Sequence, residues 1–170
     1  IKYKNNLEII KKSIFQINEK FDLIILNHSF EHMLDHSKVL KKISQLLNSK
    51  GVCIVRTPTV DSHSWQFYKE NWVQLDAPRH LIIHSLKSLK LLLKKHDMKI
   101  YHYYNDSTSF QFWGSEQYKK NIPLNSEKSY LKNPSKSIFN YADIQKFKKK
   151  SKSLNKNKKG DQAVYYIIHK

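Results

Sequence analysis

The sequence predicts an α/β fold with a parallel pair of strands, and three consecutive segments lead to this prediction. Leu23 to Leu26 is a continuous apolar run, typical of a strand buried on both faces of a sheet. A helix should follow, with Asp35 or Ser37 as its N-cap and Gly51 as its stop. Its apolar positions at helical spacing are Val39, Leu40, Ile43, Leu46 and Leu47. The apolar segment 52–57 then completes a βαβ unit.

Three further strands are predicted at 7–10, 98–104 and 163–169, together with a helix that Ser85 caps. Residues 106–147 carry many aromatic side chains with weak helical signals. A long segment of this kind is usually a functional insertion, so we interpret it as a partly helical cap over a substrate pocket. The Lys-rich residues 148–160 are predicted to be a flexible linker.

Composition bounds the possible functions. The 170 residues, 39% of them hydrophobic, are enough for a single domain with a core. A net charge of +17 suggests nucleic acid as a partner, but Arg56 and Arg79 are the only arginines, and phosphate recognition favours arginine. Abundant Lys, Asn, Ile and Tyr are also typical of an AT-rich genome. We therefore favour genome composition as the cause of the net charge, and a polyanion-binding surface remains the alternative.

Localisation follows from what is missing in the sequence. No apolar run reaches the roughly 18 to 20 residues of a membrane span, and the N-terminus lacks the pattern of a secretory signal. The single cysteine, Cys53, lies in an apolar strand and has no partner for an internal disulfide. Cytoplasmic localisation is the resulting expectation.

Polar, titratable residues directly follow the first strong strand. His28, His32 and His36 are spaced four apart, so on one continuous helix they would form a zinc-binding face. However, Asn27 and His28 end a strand and Asp35 caps the next helix, so the three rings should diverge. His80 and His84 repeat the spacing. We predict no metal site from either set.

The residues resemble the class I S-adenosylmethionine-dependent methyltransferases. The resemblance rests on the segments 21–32, 46–51 and 56–58 and on Asp76-Ala77-Pro78-Arg79-His80. It is greatest with a bacterial small-molecule and glycan branch, in which a Trp and an Asp-x-Pro-Arg-His segment follow the fifth strand. It covers residues 7–105 and the last strand. It implies a Rossmann-like sheet, of which this chain would carry strands three to seven.

The sequence departs from the family in one respect. The family's first strand ends in a glycine-rich turn and its second in an acidic residue, and both contact the cofactor. This chain has three glycines, Gly51, Gly114 and Gly160, and begins with Ile1. We therefore expect an incomplete methyltransferase domain, the C-terminal part of a longer protein. Residues 1–12 should be loosely held or pair non-natively, because their neighbouring strand would be missing.

The resemblance implies a set of cofactor-binding residues. Asn27, His28 and Ser29 would line the methionine part of S-adenosylmethionine. Ser13 and Ile14 occupy the positions at which the family holds the adenine. Glu31 and His32 either belong to the same site or brace its loop.

Asp76, Arg79 and His80 are the catalytic candidates. Methyl transfer to oxygen or nitrogen needs positioning and a base that removes the acceptor's proton, and histidine is suited to that task. His80 would act as the base, Asp76 would orient it or bind a substrate hydroxyl, and Arg79 would hold an acidic group. A rigid turn feeding the next helix is the alternative.

The predicted function is methyl transfer from S-adenosylmethionine to a small-molecule or sugar acceptor, by a longer enzyme that contains this chain. Three alternatives remain open at this point. The chain could be a basic nucleic-acid-binding protein that uses the Lys run 148–159, a metal-dependent enzyme, or a catalytically silent methyltransferase fragment.

Overall fold

The computed structural model describes residues 8–170 and shows an α/β fold around a four-stranded sheet. The strands are β1 (Phe21–Asn27), β2 (Leu47–Pro58), β3 (Met98–Asn105) and β4 (Gln162–His169). The α-helices are α1 (His36–Leu46), α2 (His63–Tyr68), α3 (Leu86–Lys94), α4 (Phe110–Lys119) and α5 (Tyr141–Lys156). Four single turns of 3₁₀-helix lie at Ile14–Gln16, Phe30–His32, Lys69–Asn71 and Pro134–Lys136.

The sheet has the strand order β1-β2-β4-β3. β1 and β2 are parallel, with Asn27 opposite Arg56 near their carboxyl ends. β4 runs antiparallel to both β2 and β3. The unit β1-α1-β2 confirms the predicted βαβ arrangement. All four strands lie where the sequence predicts them, but β2 begins at Leu47, which the sequence pattern places in the helix, instead of at residue 52.

The main core forms where α1 and α3 pack on the sheet. Asp35 caps α1 by accepting a hydrogen bond from the Lys38 backbone amide, and Ser85 caps α3 in the same way through Ser88. The core side chains include Leu26, Val39, Leu40, Ile43, Val55, Leu89, Leu93 and Ile167. Burying these two apolar helix faces fixes α1 and α3 against the sheet and so positions the loops that follow β1 and β2.

A second, smaller core lies between α2, α4 and α5. Its buried members are Tyr68, Trp72 and Phe112, and Phe147 and Leu154 of α5 pack against them. The indole Nε1 of Trp72 donates a hydrogen bond of 3.1 Å to the buried carboxylate of Asp161. This core joins α2, α4 and α5 to the start of β4.

The structure corrects three predictions about local structure, the first of which is the strand at 7–10. Glu8, Ile9 and Ile10 are irregular and exposed, and Leu7 lies outside the described residues. Residues 8–12 make no strand pairing in the described part of the chain. An apolar segment with no strand beside it cannot satisfy its backbone groups in a sheet.

Gly51 does not end the first helix, because α1 ends at Leu46 and Gly51 lies inside β2. A Cβ atom at Gly51 would lie 2.8 Å from the Leu47 side chain and 3.0 Å from the Phe21 carbonyl oxygen. The register of β1 on β2 shifts between Phe21 and Leu23. The glycine thus permits a close approach of the two strands rather than a helix stop.

The Lys-rich segment predicted as a flexible linker is largely helical, since α5 continues through residue 156. Asn140 and Asp143 form a capping box at its start. The face that packs on the protein consists of residues at helical spacing: Ile144, Phe147, Ser151 and Leu154. The many lysines between them make this spacing hard to recognise in the sequence. Among residues 8–170 no helix is both long and apolar enough to cross a membrane.

Candidate active site

A cavity of about 310 Å³ opens at the carboxyl ends of β1 and β2. Its charged and polar lining residues include His28, Glu31, His32, Gln74, Asp76, Arg79 and His80. Its apolar and aromatic lining residues are Val73, Phe110, Tyr118 and Leu124. Because the ends of parallel strands are where open α/β sheets bind their ligands, this cavity is the candidate site.

Glu31 is a buried acid in the cavity lining, with 0% of its side chain exposed. Its Oε2 accepts a hydrogen bond of 3.0 Å from the Thr57 hydroxyl, and its Oε1 lies 3.3 Å from Nδ1 of His28. Burial raises the pKa of this carboxyl, but the hydrogen bonds from His28, the backbone and Thr57 outweigh burial and lower it. Glu31 is therefore an anion at neutral pH.

His80 lies beside this carboxylate, and 6% of its side chain is exposed. Its Nδ1 is 2.7 Å from the carbonyl oxygen of Gln74. A carbonyl only accepts, so Nδ1 carries the proton and Nε2 of the neutral ring keeps a free lone pair. Nε2 is 4.0 Å from Glu31 Oε1 and 3.8 Å from Asp76 Oδ2.

Asp76 and Arg79 form an ion pair across the turn that precedes His80. The hydrogen bond and charge of Asp76 raise the pKa of the Arg79 guanidinium, most of which is exposed to solvent. Asp76 has a φ of 40°, in the left-handed region that non-glycine residues seldom adopt. Strained backbone of this kind is frequent at functional sites.

Two further residues complete the wall. Nδ1 of His32 lies 2.9 Å from the Arg79 carbonyl oxygen, and its ring centroid lies 4.8 Å from that of His80. Burial and the nearby carboxylate of Asp76 raise the pKa of Tyr118. The Tyr118 hydroxyl thus stays protonated at neutral pH and can donate a hydrogen bond within the cavity.

Comparison with known families shows which family the chain belongs to. A family model described as a methyltransferase domain matches residues 3–103, more than half of the chain. The chain belongs to this methyltransferase family. Membership confirms the predicted family, the S-adenosylmethionine-dependent methyltransferases. A search of curated protein sequences finds no match.

Solved structures show the same fold in other methyltransferases. Mitomycin 7-O-methyltransferase is 12% identical with a TM-score of 0.54, and the match covers 96% of this chain and 34% of that one. An O-methyltransferase from a Brevibacillus brevis trans-AT polyketide synthase, in complex with S-adenosyl-L-homocysteine, is 15% identical with a TM-score of 0.52 and coverages of 95% and 49%. A methyltransferase from Thermotoga maritima is 15% identical with a TM-score of 0.54 and coverages of 95% and 63%.

These likenesses confirm the predicted Rossmann-like methyltransferase fold. The chain spans less than two thirds of each matched structure.

The predicted catalytic residues of the methyltransferase domain lie together. Asp76, Arg79 and His80 all line the cavity, and His28 from the predicted cofactor set lies there with them. His28 has a φ of 48°, and its backbone amide donates to the Arg56 carbonyl at 2.9 Å, which extends the pairing of β1 by one residue.

The other predicted cofactor residues are not part of the cavity wall. Asn27 is exposed at the end of β1, with its side-chain oxygen 3.3 Å from the Arg56 guanidinium. Ser29 precedes the turn Phe30–His32 without a side-chain cap. Ser13 caps the turn Ile14–Gln16, and Ile14 packs on the main core. These contacts are structural and do not test adenine binding, so the roles of Ser13 and Ile14 in it stay predictions.

The three histidines spaced four apart do diverge. His28 contacts Glu31, His32 approaches His80, and the His36 ring lies in the core, where its Nδ1 is 2.8 Å from Nε2 of His84. The structure instead groups Glu31, His32 and His80, whose ligand atoms all lie within 4.8 Å of one another.

Sequence reasoning did not find the partners that organise the site. Thr57, Gln74 and Tyr118 were not singled out, and Glu31 was left between a structural and a functional role. The contacts of Glu31 with His80 depend on the backbone bond from Leu81 to the Glu31 carbonyl, at 2.8 Å. A tertiary contact across 50 residues leaves no local pattern in a single sequence.

Proposed function

We propose that this chain is part of an enzyme that transfers a methyl group from S-adenosylmethionine to an oxygen or nitrogen of a small-molecule or sugar acceptor. The acceptor occupies the cavity at the ends of β1 and β2, and His80 removes its proton. The single observation that carries this proposal is the 2.7 Å contact between Nδ1 of His80 and the Gln74 carbonyl oxygen, because a proton on Nδ1 leaves Nε2 as the base.

Glu31 and Asp76 support the base in this proposal. As His80 takes up a proton its ring becomes a cation, and the two carboxylates beside Nε2 stabilise that cation. Burial of Glu31 strengthens the effect, because a charge in a water-poor site is poorly screened. These residues therefore favour proton removal from the acceptor.

The acceptor class follows from the size and charge of the cavity. A volume of about 310 Å³ lies at the lower end of ordinary ligand pockets, so it suits a small molecule or one terminal sugar. Phe110, Tyr118 and Leu124 come from the segment predicted as a cap, which supports a role for residues 106–147 in covering the acceptor. The exposed guanidinium of Arg79 suits an acidic group on that acceptor.

The cofactor would be held only in part by this chain. When bound, S-adenosylmethionine supplies an electrophilic methyl group on a sulfonium. Asn27, His28 and Ser29 lie at the strand end that suits its methionine part, and the exposed Asn27 is accessible there. With three isolated glycines, the chain does not supply a glycine-rich turn for the remainder. We infer that a longer protein supplies that turn.

Calorimetric titration of S-adenosylhomocysteine tests this proposal. It is titrated into this chain and into the protein extended upstream along its natural coding sequence. Binding by the extended protein, and weaker or no binding by the chain alone, is expected. Binding by neither protein would overturn the cofactor assignment and would favour the alternative of a catalytically silent methyltransferase fragment.

A further inference from the structure

We propose that Glu31, His32 and His80 form a binding site for a divalent transition metal of the zinc class. The three residues come from the turn after β1 and from the segment before α3. One carboxylate oxygen and two imidazole nitrogens all lie within 4.8 Å of one another. The inference concerns metal binding by this chain alone and does not depend on methyl transfer.

The first argument is the orientation of the two rings. Nδ1 of His32 lies 2.9 Å from the Arg79 carbonyl oxygen, and Nδ1 of His80 lies 2.7 Å from the Gln74 carbonyl oxygen. Both Nδ1 atoms therefore donate to backbone, and both Nε2 atoms present a lone pair. Histidines that bind metals are held in this way, because a hydrogen bond from the second nitrogen fixes the tautomer and makes the first more basic.

The second argument is the way in which the two carboxylate oxygens of Glu31 are held. The Thr57 hydroxyl holds its Oε2 at 3.0 Å, and its Oε1 faces His80 at 4.0 Å. With Oε2 held by Thr57, Oε1 is the oxygen of Glu31 that is placed to bind an ion. His28 contacts the same Oε1 at 3.3 Å and would become an outer partner of a carboxylate that binds an ion.

The donor set decides the class of ion. Two imidazoles with one carboxylate bind zinc and its first-row neighbours, whereas magnesium and calcium prefer oxygen ligands. Ligands in a tetrahedral zinc site lie about 3.4 Å apart, so the three donors, which lie within 4.8 Å of one another, must close by up to about 1.4 Å. His32 is the exposed member of the three and is the one most free to adjust.

The charges around the three donors are mixed. Asp76 lies 3.8 Å from Nε2 of His80 and adds negative charge, while the Arg79 guanidinium is paired with Asp76. An ion and a proton compete for the same Nε2 lone pair, so an occupied site and a His80 base are alternative states of one cavity.

Titration of metal ions into the chelator-stripped chain, without any methyl donor, tests the inference. Cobalt(II) is added first, because its visible absorption reports four-coordinate binding, and zinc is then measured by calorimetry. Nuclear magnetic resonance of isotope-labelled histidines identifies which ring nitrogens shift. We expect one ion per chain and shifts at Nε2 of His32 and His80, with the exposed His102 unchanged.

Two variants and one control accompany the wild type. His32→Ala removes a ligand from the outer edge of the cluster, and Glu31→Gln removes its charge. Loss of an outer partner alone weakens metal binding about 10- to 100-fold, so loss of a ligand should weaken it at least as much. His102→Ala removes a histidine from β3, outside the cluster, and should bind as the wild type does.

Failure of the wild type to bind, or shifts confined to other histidines, would overturn the inference. So would unchanged binding by a folded His32→Ala variant. If either variant fails to fold, the resonance assignment in the wild type still decides the outcome. A metal-binding result of either sign leaves the cofactor titration proposed above unaffected, so the two proposals fail separately.

Discussion

Nδ1 of His80 lies 2.7 Å from the carbonyl oxygen of Gln74, six residues earlier in the chain. The turn between them contains the ion pair of Asp76 with Arg79. A single backbone oxygen therefore sets which nitrogen of His80 carries the proton. The same bond makes the other nitrogen available to an acceptor's proton or to a metal ion.

Replacement of His80 tests its role as a base. In the extended enzyme, His80→Gln should lower kcat about 100- to 10,000-fold with a smaller change in KM, because glutamine cannot take up the acceptor's proton. His102→Ala is the matched control. Methylation assays with a panel of hydroxylated and amine acceptors provide the measurement. A kcat within twofold of the wild type would exclude His80 as the base.

Removal of the Thr57 hydroxyl tests how Glu31 is held in its buried position. Thr57→Val leaves one oxygen of a buried carboxylate without its donor, so it should cost about 1–3 kcal/mol of unfolding free energy at pH 7. Because that bond helps to lower the Glu31 pKa, the cost is present above pH 4.5 and shrinks as pH falls and the carboxyl becomes protonated.

Urea denaturation at neutral and acidic pH measures this cost. Thr108→Val, at an exposed hydroxyl that accepts a local bond from the Phe110 amide, is the control and should change stability little at either pH. A Thr57→Val penalty of equal size at both pH values would show that packing, rather than the carboxylate, is responsible.

Asp161 should destabilise the fold as pH rises. Burial raises its pKa to about 6, even though Trp72 and Ser107 donate hydrogen bonds that lower it. A raised carboxyl pKa means that stability is lost between the unfolded pKa, 3.8, and about 6. The stability of Asp161→Asn relative to wild type should therefore grow by about 2 kcal/mol between pH 4 and pH 7. A difference that does not vary with pH, measured by thermal unfolding, would refute this.

The buried pair of His36 and His84 should destabilise the fold as pH falls. Burial and the neighbouring His36 lower the pKa of His84 to about 4, and burial lowers that of His36. Neutral rings are thus favoured in the fold, and stability is lost as pH falls from 6.5 to about 4. In wild type, the free energy of unfolding should fall by about 2–3 kcal/mol through this pair as the solution is acidified. His84→Gln should remove part of that decrease. Chemical denaturation from pH 7 to pH 4.5 checks this, with His102→Ala expected to follow the wild type.

Local patterns predicted most of the sheet and its two packed helices. The four strands of the described chain and the caps Asp35 and Ser85 follow from apolar periodicity and from side chains that bond to the first helical amides. α5 was missed because its lysines dominate the composition, although the box of Asn140 and Asp143 was a signal for its start. Gly51 was misinterpreted because close approach and a helix stop favour the same residue.

The candidate site could be predicted only in part. Asp76, Arg79 and His80 are close in the chain, so one turn brings them to the same cavity. Glu31 and Thr57 join them through contacts that form when β1, β2 and the segment before α3 pack together. Tyr118 reaches the cavity from α4, whose place depends on the second core. No single segment contains that information.

The position of β1 at the edge of the sheet affects how this chain behaves at high concentration. In the described residues β1 pairs only with β2, and its side chains Leu23 and Ile25 are 51% and 59% exposed. Unpaired backbone groups beside exposed aliphatic side chains form a template onto which another extended chain can add. Preparations of this chain alone should therefore self-associate, and Ile25→Lys should delay the onset of turbidity.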